Sequence, residues 1–336
     1  MLPSSWYTVE QLPWPIDLVS YFGRIAPLYL EIGFGSGAFL ADLAARHPEA
    51  DLIGLEISVP SLRRAADKLA KRNLGNVMLI QADASAALQL VVAPGSLAYV
   101  VINFPDPWPK QHHQRRRLIN DEFLCLLASR MHRGAKLDIS TDHAAYAEEI
   151  LARLDSARHF DSRTGAPFIL EDPGRLKTKY ESVARKEGRI SRYFKWQRNE
   201  LPACDQFPAL EELPMPHVVL RFPATLDELG GRFRPGARES GAVIVRYIGA
   251  YRALNKEALL IETYIKEDPI TQRIGLEVRQ RRPGEFMIAL ADVGYPRPTP
   301  GVQLAIHYLV EWLGEMYPAL VVVHSNLRGT NAHNAG

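Results

Sequence analysis

The chain has 336 residues, 47% of them hydrophobic and 23% charged, with a formal net charge of +2 at pH 7. At roughly 100–200 residues per domain, this length predicts two domains in a soluble globular protein. Cys125 and Cys204 are the only cysteines and lack metal-type spacing, which argues against a disulfide framework and against a metal site. The N-terminus lacks the basic flank and apolar run of a signal peptide, and no apolar stretch is long enough to span a bilayer. No membrane association is expected, and the location predicted is cytoplasmic.

Residues 1–26 read as an N-terminal segment packing on the domain that follows. From 27 to 198, short apolar runs (PLYLEIG, ADLIGLEI, NVMLIQAD, LAYVVINF, AKLDIST) alternate with helical stretches. In 38–46, Phe39, Leu40 and Leu43 share one face; in 61–72, Leu62, Ala65, Ala66 and Leu69 do. Alternating β and α segments predict an α/β domain with a mainly parallel sheet and helices on both faces. The apolar runs are nearly continuous, as in strands buried on both sides. Residues 199–216, NELPACDQFPALEELPMP, read as a proline-rich linker. From 217 to 336, successive strand-like runs, a helix over VQLAIHYLVEWLGEMY and the short run ALVVVHS predict a smaller α+β domain with antiparallel strands.

The first strand runs into LEIGFGSGAFL, which sets Gly33, Gly35 and Gly37 between a strand and a helix. Glycines there let the backbone turn tightly and approach a ligand closely. Glu56 ends the second strand and is placed to accept from ribose hydroxyls, which fits either a dinucleotide or S-adenosyl-L-methionine. Glu31 and Asp83, at the ends of the first and third strands, tilt this choice. All these acids fall at the carboxyl ends of parallel strands, where open α/β sheets bind ligands. They would repel an anionic pyrophosphate and attract a sulfonium carrying an ammonium group. S-adenosyl-L-methionine is therefore the expected cofactor, with a nicotinamide dehydrogenase as the enzyme alternative and an inert RNA-binding protein as the non-enzyme one.

The fourth strand ends in NFPDPWPKQHHQRRR, residues 103–117. Pro105, Pro107 and Pro109 stiffen the segment and hold Asp106 and Trp108 at the same rim. A helix is expected to follow, with Ile119, Phe123, Leu126 and Leu127 on its apolar face and Arg115, Arg116 and Arg117 near its start. Cations at a helix start oppose the macrodipole, so an external anion, phosphate backbone, is expected there, with Asp121 offsetting Arg117 in part. A second basic segment, 175–198, adds to the expected polyanion surface.

DPWPKQHHQRRRL, taken with LEIGFGSG, GLEIS, QADA, STDH and TKYE, resembles the bacterial tRNA (guanine-N7-)-methyltransferase family over about 25–198. The resemblance implies a class I S-adenosylmethionine-dependent, Rossmann-like methyltransferase fold and methylation of guanosine 46 in the tRNA variable loop. By motif it implies cofactor contacts from Glu31, the glycine loop, Glu56, Asp83 and Asp106, and a catalytic role for Asp106. It implies substrate contacts from Lys110, Asp142, Thr178, Lys179, Tyr180 and Glu181. RNA contacts are implied for His112, His113, Gln114, Arg115, Arg116 and Arg117. The partner is tRNA; no protein partner is expected. The chain departs from the family pattern after TKYE, where it reads SVARKEGRISRYFKW, and in its long C-terminal part.

Overall fold

The computed structural model describes residues 6–177, 179–203, 206–207, 210 and 212–328. The chain divides into two compact units, 1–209 and 210–336.

The first unit begins with β1 (Tyr7–Thr8) and α1 (Leu18–Phe22). Then β2 (Leu28–Ile32), α2 (Ala38–Arg46), β3 (Asp51–Glu56), α3 (Val59–Lys71), β4 (Val77–Gln81), α4 (Ala84–Leu90) and β5 (Leu97–Asn103) alternate. After a short 3-10 turn, Gln111–Arg116, come α5 (Asp121–Arg130), β6 (Met131–Thr141), α6 (Ala144–Ser156), β7 (Phe160–Ser162), α7 (Lys179–Lys186) and β8 (Arg192–Arg198). The sheet order is β1-β4-β3-β2-β5-β6-β8-β7. Every neighbour pair from β1 to β6 is parallel, and β8 runs antiparallel between β6 and β7. The five continuous apolar runs are thus the central strands, and Leu30, Leu52, Ile53, Ile80, Val100 and Ile102 are fully buried. The strand order reverses between β2 and β5, which opens a crevice at their carboxyl ends.

The helices form where apolar periodicity predicts. Leu62, Ala65 and Leu69 of α3 are buried while its cations face outward. N-terminal to the alternating part, Val9, Leu12 and Ile16 are buried, and β1 extends the sheet beside β4.

Two expectations are corrected. Cys125, on α5, is disulfide-bonded; the only other cysteine of the chain, Cys204, lies outside the described residues, as does part of the expected linker. Secondly, α5 does not start at the arginines. Arg115 and Arg116 sit on the separate 3-10 turn, and α5 is capped by Asn120, whose side chain accepts from Phe123 N at 2.9 Å. Asp121 and Glu122 occupy its first turn, as the macrodipole favours. Asp121 pairs with Arg153, not with Arg117.

The second unit holds β9 (His217–Arg221), α8 (Leu226–Arg232), β10 (Gly236–Ser240), β11 (Val243–Arg252), β12 (Ala258–Glu267), β13 (Ile270–Arg282), β14 (Glu285–Leu290), α9 (Pro300–Met316) and β15 (Val321–Ser325). Its antiparallel sheet has the order β10-β11-β12-β13-β14-β9-β15. Its core joins Leu220, Ile261, Leu276 and Phe286 of the sheet to Val302, Ile306 and Leu309 of α9.

Candidate active site

The crevice at the switch point is a cleft of about 390 Å3. Gly33, Glu56, Asp83, Asn103, Phe104, Asp106, Trp108 and Arg116 are among the residues that line it. The glycine loop forms one wall. Gly37 has φ of 68°, and a Cβ there would lie 2.5 Å from Cβ of Ala65 on α3, so only glycine allows this approach of loop to helix. Glu56 ties the loop in place: Oε2 accepts from Gly35 N at 2.9 Å, and Oε1 accepts from Ile57 N at 2.9 Å and Ser58 N at 3.0 Å. Asp83 lies on the wall and also caps α4, accepting from Ser85 N at 2.9 Å.

Glu31 sits beneath the loop at 1% exposure. Its Oε1 accepts from Asn103 Nδ2 at 3.0 Å, while its Oε2 is buried with no hydrogen-bond partner among the described residues. Burial pushes its carboxyl up to about 7; the Asn103 bond and the Arg175 charge pull it down, and Glu56 adds a small upward push. A buried acid with an unused oxygen, under a carboxylate-lined cleft, fits a cationic ligand. A larger cleft of about 680 Å3 beside α3 is lined by Arg64, Lys68, Lys71 and Arg72 against Asp42 and Asp67, a net positive lining that suits a sulfonium less well.

The proline-framed segment closes the outer side. Phe104 and Trp108 have φ of 50° and 41°, so non-glycine residues bracket Asp106 in the left-handed region. Such residues cost on the order of 1–3 kcal/mol each and persist where the surroundings over-determine them. Asp106 is exposed at the cleft mouth, without a hydrogen bond or ion pair to the described residues. Trp108 has two neighbours on this segment: His113 meets it edge-on at 5.6 Å, and the Arg116 guanidinium lies 5.2 Å from its ring centre. Lys110, His112, Gln114, Arg115 and Arg116 are exposed, and His113 is half-buried.

Three of the expected substrate contacts are engaged by partners within the unit. Arg117 is buried, donates from Nε to Pro107 O at 2.7 Å, and pairs with Glu149 of α6. It staples the proline segment to the helix instead of facing an anion. Glu181 is buried and engaged by Arg175 and Tyr193. Asp142, at the end of β6, is held by Arg189. The second basic segment is partly neutralised within the unit, while Lys177, Arg185 and Lys186 stay exposed. Arg175, Arg189 and Lys195 pair with acids, and Arg198 is buried and donates to the Ala128, Asn199 and Leu201 carbonyls. Thr178 lies outside the described residues, and only the helical backbone of Lys179 and Tyr180 is described.

Asn103 and Arg175 belong to the site although no motif marks them. Asn103 carries a signal, since it is polar at the last position of a buried strand. Arg175 carries none beyond its membership of a basic segment.

A family profile described as "Putative methyltransferase" matches residues 25–192. The tRNA (guanine-N(7)-)-methyltransferase of Thermus thermophilus is 32% identical over 306 residues, 89% of this chain and 93% of that protein. The chain belongs to the tRNA (guanine-N(7)-)-methyltransferase family. The enzyme of that name from Deinococcus radiodurans is also 32% identical, over 85% of this chain and 89% of its own length. The one from Thiobacillus denitrificans is 43% identical over 175 residues, 52% of this chain and 77% of its own. The first two relatives therefore share most of the chain with this member of the family, and the acid-lined cleft lies in the part matched by the family profile.

Proposed function

We propose that the protein methylates N7 of guanosine 46 in the variable loop of tRNA, with S-adenosyl-L-methionine as methyl donor, in the cytoplasm. Family membership supports the reaction, and the observation that carries it is Asp106. A carboxylate without a partner among the described residues is held between two left-handed residues at the mouth of an acid-lined cleft.

Glu31, the Gly33–Gly37 loop, Glu56 and Asp83 would hold the cofactor, which supplies an electrophilic methyl group on a sulfonium centre. Guanine N7 presents a lone pair and no proton, so the protein needs no general base at that atom. Its work is positioning for an in-line displacement. Asp106 would accept from guanine N1–H and the exocyclic amine and so fix the base. The same carboxylate stabilises the positive charge that develops on the purine. The base must leave its stacked position in the loop to reach the cleft, as in other base-modifying enzymes. Lys110, Arg115 and Arg116, exposed along the outer turn, would hold phosphates and set the register.

The test is mass spectrometry of nucleosides from tRNA incubated with the protein and cofactor, which should show 7-methylguanosine. Asp106→Ala should lose about 100-fold or more in rate, the scale of one lost electrostatic stabiliser, with tRNA binding largely kept. Equal loss of rate and binding would reduce Asp106 to a loop residue, and methylation of another atom would overturn the assignment.

A further inference from the structure

One guanidinium connects the floor of the cofactor cleft to the segment that carries the family's TKYE motif. Arg175 donates from Nη2 to Asn103 Oδ1 and from Nη1 to Glu181 Oε2 at 2.6 Å. The Arg175 and Glu181 side chains are 6% and 2% exposed. Asn103, the last residue of β5, donates its amide to Glu31 Oε1 at 3.0 Å. Glu181, in the first turn of α7, also accepts from the Tyr193 hydroxyl. The Arg175 guanidinium lies 4.9 Å from the Phe39 ring centre at the start of α2 and 5.4 Å from that of Tyr193. A planar fork thus fills a slot between four elements of the first unit, which a lysine could not reproduce.

The amide of Asn103 can face only one way here. Its nitrogen meets a carboxylate and its oxygen a guanidinium; turning it over would set oxygen against carboxylate and nitrogen against guanidinium. The state of Glu31 therefore bears on how strongly Asn103 holds Arg175. An ionised Glu31 is the stronger acceptor, polarises the Asn103 amide, and strengthens its carbonyl as an acceptor for Arg175. A cationic ligand beside the unpartnered Glu31 Oε2 favours that ionised form.

We propose that Arg175 is a positioning residue that couples cofactor binding to tRNA binding, by holding α7 against the cofactor floor through Asn103 and Glu181. This rests on tRNA being the substrate. Occupation of the cleft by a cationic cofactor tightens the Glu31–Asn103–Arg175 contacts and so stabilises the start of α7 in its tRNA-competent place. By linkage, tRNA tightens cofactor binding to the same degree.

The experiment measures the dissociation constant for tRNA with and without saturating sinefungin, a cationic analogue that cannot transfer a methyl group. In the wild type, sinefungin should tighten tRNA binding by about 5-fold or more, the lower end of typical coupling between sites. In Arg175→Lys the ratio should fall to near one, because the gain that sinefungin gives the wild type is lost. Glu181→Gln, which keeps the size of the side chain but removes the ion pair, should also lose the coupling, and serves if Arg175→Lys does not fold. A ratio kept in a folded variant, or affinity lost equally with and without sinefungin, would overturn the role of Arg175. A wild type that forms 7-methylguanosine but shows a ratio of one would overturn the coupling alone. A wild type that neither binds nor methylates tRNA would overturn the substrate assignment with it.

Discussion

Glu31 shows how much chemistry one buried side chain can carry. Its carboxyl is pushed up to about 7 from an ordinary value of 4.5, chiefly by burial. The folded chain therefore keeps a proton that the unfolded chain releases between those values. Its contribution to stability is full below about pH 4.5 and is lost as pH rises through about 7. A cationic ligand reverses the preference, because it favours the ionised carboxylate. Binding of sinefungin at pH 6 should then release most of a proton from Glu31, and apparent affinity should rise with pH up to about 7. Titration calorimetry at pH 6 in buffers of different ionisation enthalpy checks this, with Glu31→Gln as the control. Equal proton release by the two proteins would sink the assignment of the titration to Glu31.

At the scale of elements, the segment from Phe104 to Arg117 divides two kinds of cation that look alike in sequence. Arg115 and Arg116 are exposed on a 3-10 turn, and Arg116 lies over Trp108. Arg117 turns inward to the Pro107 carbonyl and Glu149, and its guanidinium lies 4.9 Å from the Tyr146 ring centre. The two kinds should fail differently. Replacing Arg115 and Arg116 with glutamine should weaken tRNA binding and lower the slope of log affinity against log salt by roughly 1 for each phosphate no longer neutralised. Arg117→Gln should instead lower thermal stability, by on the order of 1–3 kcal/mol for its charged hydrogen bonds, and leave the salt slope nearly unchanged. A salt slope that responds to Arg117 and not to Arg115 and Arg116 would reverse the two assignments. The apolar periodicities of α2 and α3 and the strand-ending acids are readable without the fold. The inward turn of Arg117 is not, since it depends on α6, which carries Glu149 much later in the chain.

At the scale of the molecule, each unit has its own sheet and its own apolar core, and every residue described in the cleft belongs to the first. A fragment of residues 1–209 should therefore fold and bind sinefungin with an affinity within about 3-fold of the full chain, as expected when a site is built within one domain. A fragment that folds but fails to bind would give the second unit a part in the cofactor site. What the sequence determined by itself is what short-range chemistry dictates. Continuous apolar runs between amphipathic stretches gave buried parallel strands; alternate glycines at a strand end made the tight loop at the cleft; acids at strand ends gave the cleft its negative lining; prolines framed Asp106. The tertiary structure alone decided which charges remain available. Glu181, Asp142, Arg117, Arg175 and Arg198 all carry charges that local sequence reads as surface, yet partners brought from distant elements bury or neutralise them. Periodicity reports which face of an element is apolar, whereas the partner of a charge is set by where the sheet brings other elements, and that is a property of the whole fold.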